Sequence, residues 1–81
     1  MQTFTIRDLR DRTGDLVRDA EAGKLSIVTK HGQPVFLAVP FDEALVQEGL
    51  RVSLAVKLVD DEVITVRQGA KMAGMTLGEF M

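Results

Sequence analysis

Residues 1–40 read MQTFTIRDLRDRTGDLVRDAEAGKLSIVTKHGQPVFLAVP, and the order of patterns in this stretch decides the fold. Thr3 to Ile6 alternates polar and apolar residues with β-branched character, which predicts a half-buried strand. Leu9, Leu16, Val17 and Ala20 then recur at helical spacing. Gly14 marks a kink or a junction between two short helices, and Thr13 is the expected side-chain N-cap of the second. Gly23 supplies the left-handed residue that closes it. Leu25 to Thr29 and Val35 to Val39 are two apolar runs separated by a turn at Lys30-His31-Gly32, which predicts a β-hairpin. Pro34 lacks a ladder donor and belongs at a strand start or an edge. The result is a small α+β module with cations near one turn and one helix start, a placement better suited to holding a phosphate backbone than to chemistry.

After Pro40 the texture becomes helical. Phe41 to Glu48 predicts a helix with Asp42 and Glu43 in its first turn, where anions favour the dipole. Gly49 is a break. Leu50, Leu54, Ala55, Leu58 and Val59 form an apolar stripe that the acidic run Asp60-Asp61-Glu62 ends. Thr65 with Gln68, and Thr76 with Glu79, have capping-box spacing. Ala70, Ala73, Gly74 and Met75 put small residues where two helices meet at a tight turn, so the segment reads as a helix-turn-helix whose second helix is cut short.

A chain of 81 residues has room for one small domain and a helical extension, and with no cysteine it has no disulfide. Metal-ligand spacing is also missing, which leaves oligomerisation as the stabilising device, and a homodimer is expected. Absence of cysteine fits a reducing cytoplasm. Arg7, Asp8 and Arg10 interrupt any apolar run at the N-terminus, and no stretch approaches the length of a membrane span, so a soluble cytoplasmic protein without a membrane partner is expected. No nucleophile-base pair, P-loop or dinucleotide turn is present, so neither an enzyme nor a cofactor is expected.

The net charge is −2. Residues 1–40 carry six cations against five anions, a balance of +1, whereas residues 41–81 carry four against seven, a balance of −3. A two-fold dimer doubles this polarity between halves. Two ordinarily solvated surfaces explain it equally well.

From Met1 to Phe41 the chain resembles the N-terminal half of Phd/YefM-type antitoxins. The likeness is carried by Met1-Gln2-Thr3 opening a strand, the basic helix Ile6 to Arg10, the helix end Glu21-Ala22-Gly23, and Thr29-Lys30-His31-Gly32 followed by Pro34-Val35. Val52 to Met81 separately resembles small prokaryotic proteins, often encoded beside PIN-type nucleases, whose helix-turn-helix reads as an apolar helix, an acidic turn, an Ala-rich helix and Ala-Gly-Met-Ser/Thr. Gly69 departs from that pattern, standing where helix formers are usual.

The first resemblance implies a three-stranded antiparallel sheet with two short helices in residues 1–41, dimerising and binding DNA, and a toxin-binding helical arm in residues 42–81. In that family paired basic helices face the major groove of an operator. The matching positions here are Thr5, Arg7 and Arg10, with Lys30 and His31 at the hairpin turn. Arg12 is an added phosphate contact outside the motif. Arginine offers bidentate donors to guanine or phosphate, threonine a short donor, and a turn lysine a point charge. Asp8 and Asp11 lie among these arginines and are positioned to pair with them. Leu54, Leu58, Met72, Met75, Leu77 and Phe80 are the candidate toxin-binding residues.

The expected function is thus an antitoxin of a type II toxin–antitoxin system that represses its own operon and neutralises a toxin, with a nuclease as the expected class. The alternative is a dimeric protein-interaction module that binds no DNA. Without the resemblance, the arginines read more readily as solvated or Asp-paired helix residues, His31 as a surface residue, and the phenylalanines and methionines as packing.

Overall fold

Strand β1 (Gln2–Thr5) runs into helix α1 (Ile6–Asp11) with no loop between them. Thr5 makes this possible by serving as both the last strand residue and the N-cap: its backbone is extended, and its hydroxyl accepts from the Asp8 amide at 3.1 Å. Helix α2 (Thr13–Glu21) follows a corner at Arg12, and strands β2 (Ser26–Lys30) and β3 (Gln33–Ala38) form the hairpin. All of residues 1–81 are described in this computed structural model, and they divide into two compact units, Met1–Asp42 and Glu43–Met81.

The sheet order is β1-β2-β3, and the sheet is mixed rather than antiparallel as expected. β1 pairs parallel with β2, Gln2 opposite Ser26 through Thr5 opposite Thr29, while β2 and β3 pair antiparallel. The correction has a topological cause. Residues 6–25 hold two helices and act as a crossover, which returns the chain to the end of the sheet where β1 began. Alternation of side chains has the same period in either direction, so the pattern of β1 carried no information about its sense.

Two local expectations also change. The corner falls at Arg12 rather than Gly14, which lies inside α2. Thr13 makes no N-cap; it is the first residue of α2, and its hydroxyl donates to the Leu9 carbonyl, satisfying an acceptor at the end of α1. The closing residue Gly23 has positive φ as expected.

The core of the first unit is built on Phe4, Leu25 and Val28, all fully buried. Each contributes about 1.5–3 kcal/mol on transfer from water. Phe4, Val28 and Phe36 lie in one row across the sheet. Helix α1 packs on β1 and β2, and α2 on β2. β3 stands beyond the helices as an edge strand, which leaves Val35, Phe36 and Leu37 at 54%, 47% and 36% exposure.

In the second unit helix α3 (Glu43–Asp60) is broken at Gly49, and α4 (Val66–Ala73) and α5 (Leu77–Phe80) follow. The break expected at Gly49 is present, but the helix starts at Glu43, two residues after Phe41. Both capping boxes form, Thr65 with Gln68 and Thr76 with Glu79. Helix α5 is a single turn, as the truncated pattern predicts. No helix is long and apolar enough to cross a membrane.

Gly69 now has a reason. It is buried, and a Cβ there would lie 2.6 Å from Val59 Cγ2 and 2.9 Å from Phe80 Cζ. Its bare backbone lets α4 approach both side chains. Helix α3 ends in a Schellman arrangement, with the Glu62 amide donating to Val59 O and the Val63 amide to Leu58 O, both at 2.9 Å. Glu62 occupies the left-handed position (φ 60°) where Gly74 stands in the equivalent turn after α4.

These packing and backbone features predict opposite effects of two substitutions. Gly69→Ala is expected to lower stability in chemical denaturation by about 1–2 kcal/mol, because overpacking against the stiff Val59 exceeds the gain in helix propensity. Glu62→Gly is expected to raise it by about 0.5–1 kcal/mol by relieving the left-handed backbone.

Candidate nucleic-acid interface

The cations of the first unit are sorted by the start of α1. The Thr5 amide donates to Asp8 Oδ2 at 3.0 Å, completing a reciprocal box with the Thr5 hydroxyl. That backbone hydrogen bond is the main reason the Asp8 carboxyl titrates below its ordinary value, with the Thr5 hydroxyl and the charges of Arg12 and Arg7 helping. Asp8 is therefore engaged with the chain itself. Thr5 accepts through its oxygen and keeps its own O–H proton to donate.

Arg7 and Arg10 make no ion pair within 4 Å, and neither does Lys30. Arg12 does. Its Nε sits 3.1 Å from Asp15 Oδ2, its Nη1 3.9 Å from Asp8, and its guanidinium 5.0 Å from the centre of the Phe4 ring. Arg12 is thus held by two carboxylates over the Phe4 ring, with its side chain still 43% exposed. Arg18 pairs with Asp15 at 3.0 Å, and Asp11, expected among the pairing acids, pairs with nothing.

The hairpin turn supplies the rest. His31 (φ 51°) and Gly32 (φ 77°) form a two-residue loop with Lys30 opposite Gln33, the primed geometry that matches strand twist. The expected turn was longer; both strands extend further into it. β1 and β2 run parallel in register, so the turn that ends β2 lies at the end of the sheet where α1 begins.

Two shallow depressions result. One of about 400 Å³ is lined by Thr5, Ile6, Arg7, Thr29, Lys30 and His31. A neighbour of about 350 Å³ is lined by Ile6, Arg7, Arg10 and Asp11. Arg7 and Ile6 belong to both, so Thr5, Arg7, Arg10, Lys30 and His31 form one strip and Arg12 stands outside it. Sequence reasoning missed Ile6, whose exposed side chain joins the two depressions; its place between Thr5 and Arg7 was the available signal.

In the second unit, Met75 and Phe80 come together with Val52 and Val56 around one depression, while Leu54, Leu58 and Met72 are half-buried and Leu77 is exposed. Arg51 caps α4, its Nε donating to the Met72 carbonyl at 2.9 Å. Val59 belongs to the expected apolar stripe, but Val52 and Val56, which share its face, were overshadowed by the leucines beside them. The i, i+4, i+7 spacing of the three was the overlooked signal.

No protein-family model matches the chain, and no curated protein matches it.

The box at Thr5 makes a pH prediction. A carboxylate whose pKa is lowered by folding stabilises the native state above its unfolded value, here about 3.8, and that contribution is lost as pH falls through the lower native value. Stability measured from pH 6 downward should therefore fall through the acid range, and Asp8→Ala should show a shallower dependence over the same interval.

Proposed function

We propose that this chain is the antitoxin of a type II toxin–antitoxin pair of the Phd/YefM kind. It acts as a cytoplasmic homodimer that binds operator DNA upstream of its own gene through residues 1–41, and it neutralises a toxin, a nuclease in this reading, through residues 42–81. The observation that carries the DNA half is the strip of unpaired cations at Arg7, Arg10 and Lys30, placed beside Thr5 and His31 while Arg12 and Arg18 are occupied by carboxylates. Cations without a protein partner are the groups whose pairing with phosphate brings a net gain.

The uncovered edge supports the dimer. β3 carries three consecutive apolar residues, each more than a third exposed, along a row of unpaired backbone groups. Natural edge strands of that character are covered. A two-fold copy would cover β3 and bring a second cationic strip to the complex, matching a palindromic site.

The test is a binding titration against the DNA upstream of the gene, repeated across a salt series. Arg7→Ala and Arg10→Ala should each weaken binding and make the salt slope shallower by about 1 for every phosphate that the variant leaves unneutralised. Arg12→Ala should instead lower thermal stability and leave the slope near the wild-type value. Unchanged affinity and slope in both Arg7→Ala and Arg10→Ala would overturn the assignment and favour an interaction module that binds no DNA.

A further inference from the structure

The second unit holds a groove that sharpens the toxin-binding reading of residues 42–81, with Met75 and Phe80 in its lining. Val52, Val56 and Val59 lie half-buried along α3 over two helical turns, about 10 Å of axis. Beside them are two adjoining depressions of about 250 and 200 Å³. The first is walled by Met75 and Phe80, the second by Phe80 and Val66, and Val56 and Phe80 are common to both. Each has room for a bulky apolar side chain. A shared wall means that the two inserted side chains must be neighbours.

The charged residues that line this groove are all of one sign. Glu48 and Glu79 border the first depression and Asp60 the second, with no lysine or arginine among the lining residues. All three are exposed. Glu79 is held in place: its carboxylate accepts from the Thr76 amide at 2.9 Å, which is the main reason its pKa lies below the ordinary value. A phosphate backbone would be repelled here, which sets the groove apart from the strip on the first unit.

We propose that this groove seats an amphipathic helix of the partner protein, with apolar side chains one turn apart entering the two depressions and lysine or arginine flanking them. Side chains at i and i+3 or i+4 of a helix have the adjacency that the shared wall demands. The groove lies between helices and offers no free strand edge, so an extended segment has nothing to pair with. Cations on the incoming helix meet Glu48, Glu79 and Asp60, which sets orientation and suppresses acidic competitors. The proposal rests on the antitoxin reading only in naming the partner as the toxin.

The experiment uses the full chain, methyl-labelled at valine and methionine, and two synthetic helical peptides about four turns long with identical apolar anchors. One peptide carries lysines at its flanks and the other glutamates. The lysine peptide should shift the methyl resonances of Val52, Val56 and Met75 and bind about ten-fold more tightly than the glutamate peptide, equivalent to about 1.4 kcal/mol. In the triple variant Glu48→Gln, Asp60→Asn, Glu79→Gln the two affinities should converge. Glutamine at position 79 keeps the capping partner, so the variant folds with its box intact.

Equal affinities in the native chain, shifts confined to β3, or a preference that survives the triple variant would each overturn the groove assignment. The two proposals fail separately. Peptide binding in the groove by a chain that forms no complex with a toxin would support the groove and overturn the antitoxin reading. A toxin complex that leaves these methyls unmoved would do the reverse.

Discussion

Everything in the first unit depends on one change of backbone conformation at Thr5. A strand that passes into a helix without a loop has no slack, so the direction of β1 dictates where α1 starts. The Thr5–Asp8 box holds that start by satisfying amides that no helical carbonyl can reach. With Phe4 buried and helix α1 beginning two residues later, Arg7 and Arg10 are left in solvent. Asp8 keeps its negative charge between them, but its carboxylate is turned back onto the Thr5 amide rather than paired with either. The parallel pairing then sets the hairpin turn at the same end of the sheet. The cationic strip follows from two backbone facts, a cap and a strand direction, and no dedicated scaffold is needed.

The second unit depends on a missing atom. Helix α4 lies against Val59 and Phe80 because residue 69 has no Cβ, and this close approach holds Phe80 where it divides the groove along α3. A one-turn helix such as α5 has little stability of its own. Its capping box at Thr76 and the seat of Phe80 on Gly69 supply what its length does not.

How far these arrangements could be read from the chain depended on the range of the interaction. Several interactions local in sequence were legible, among them both C-terminal capping boxes, the Gly23 turn, the break at Gly49 and the hairpin, whereas the equally local Thr5–Asp8 box and the corner at Arg12 were not. The direction of β1 was not, because side-chain alternation is blind to strand sense and the crossover geometry is a property of twenty intervening residues taken together. The packing of Arg12 was not legible for a related reason. Nothing near it in sequence announces that the Phe4 ring, eight positions earlier, will lie beneath its guanidinium. Of the residues expected to touch DNA, five line one strip, and the sixth, Arg12, stands outside it over Phe4. In the second unit Gly69 looked like a defect in a helix. The residues that explain it, Val59 and Phe80, are ten and eleven positions away.

Gly49 carries a consequence of a different kind. Its backbone, at φ 86° and ψ 162°, lies in a region that residues with side chains essentially do not enter, and open space surrounds the position where a Cβ would point. Sterics therefore place no barrier to a larger residue, while backbone geometry does. A helix-forming replacement there would favour a single uninterrupted rod of about 27 Å over residues 43–60. One codon separates a bent arm from a straight one, so the shape of α3 is inherited as an either-or trait rather than tuned by degrees.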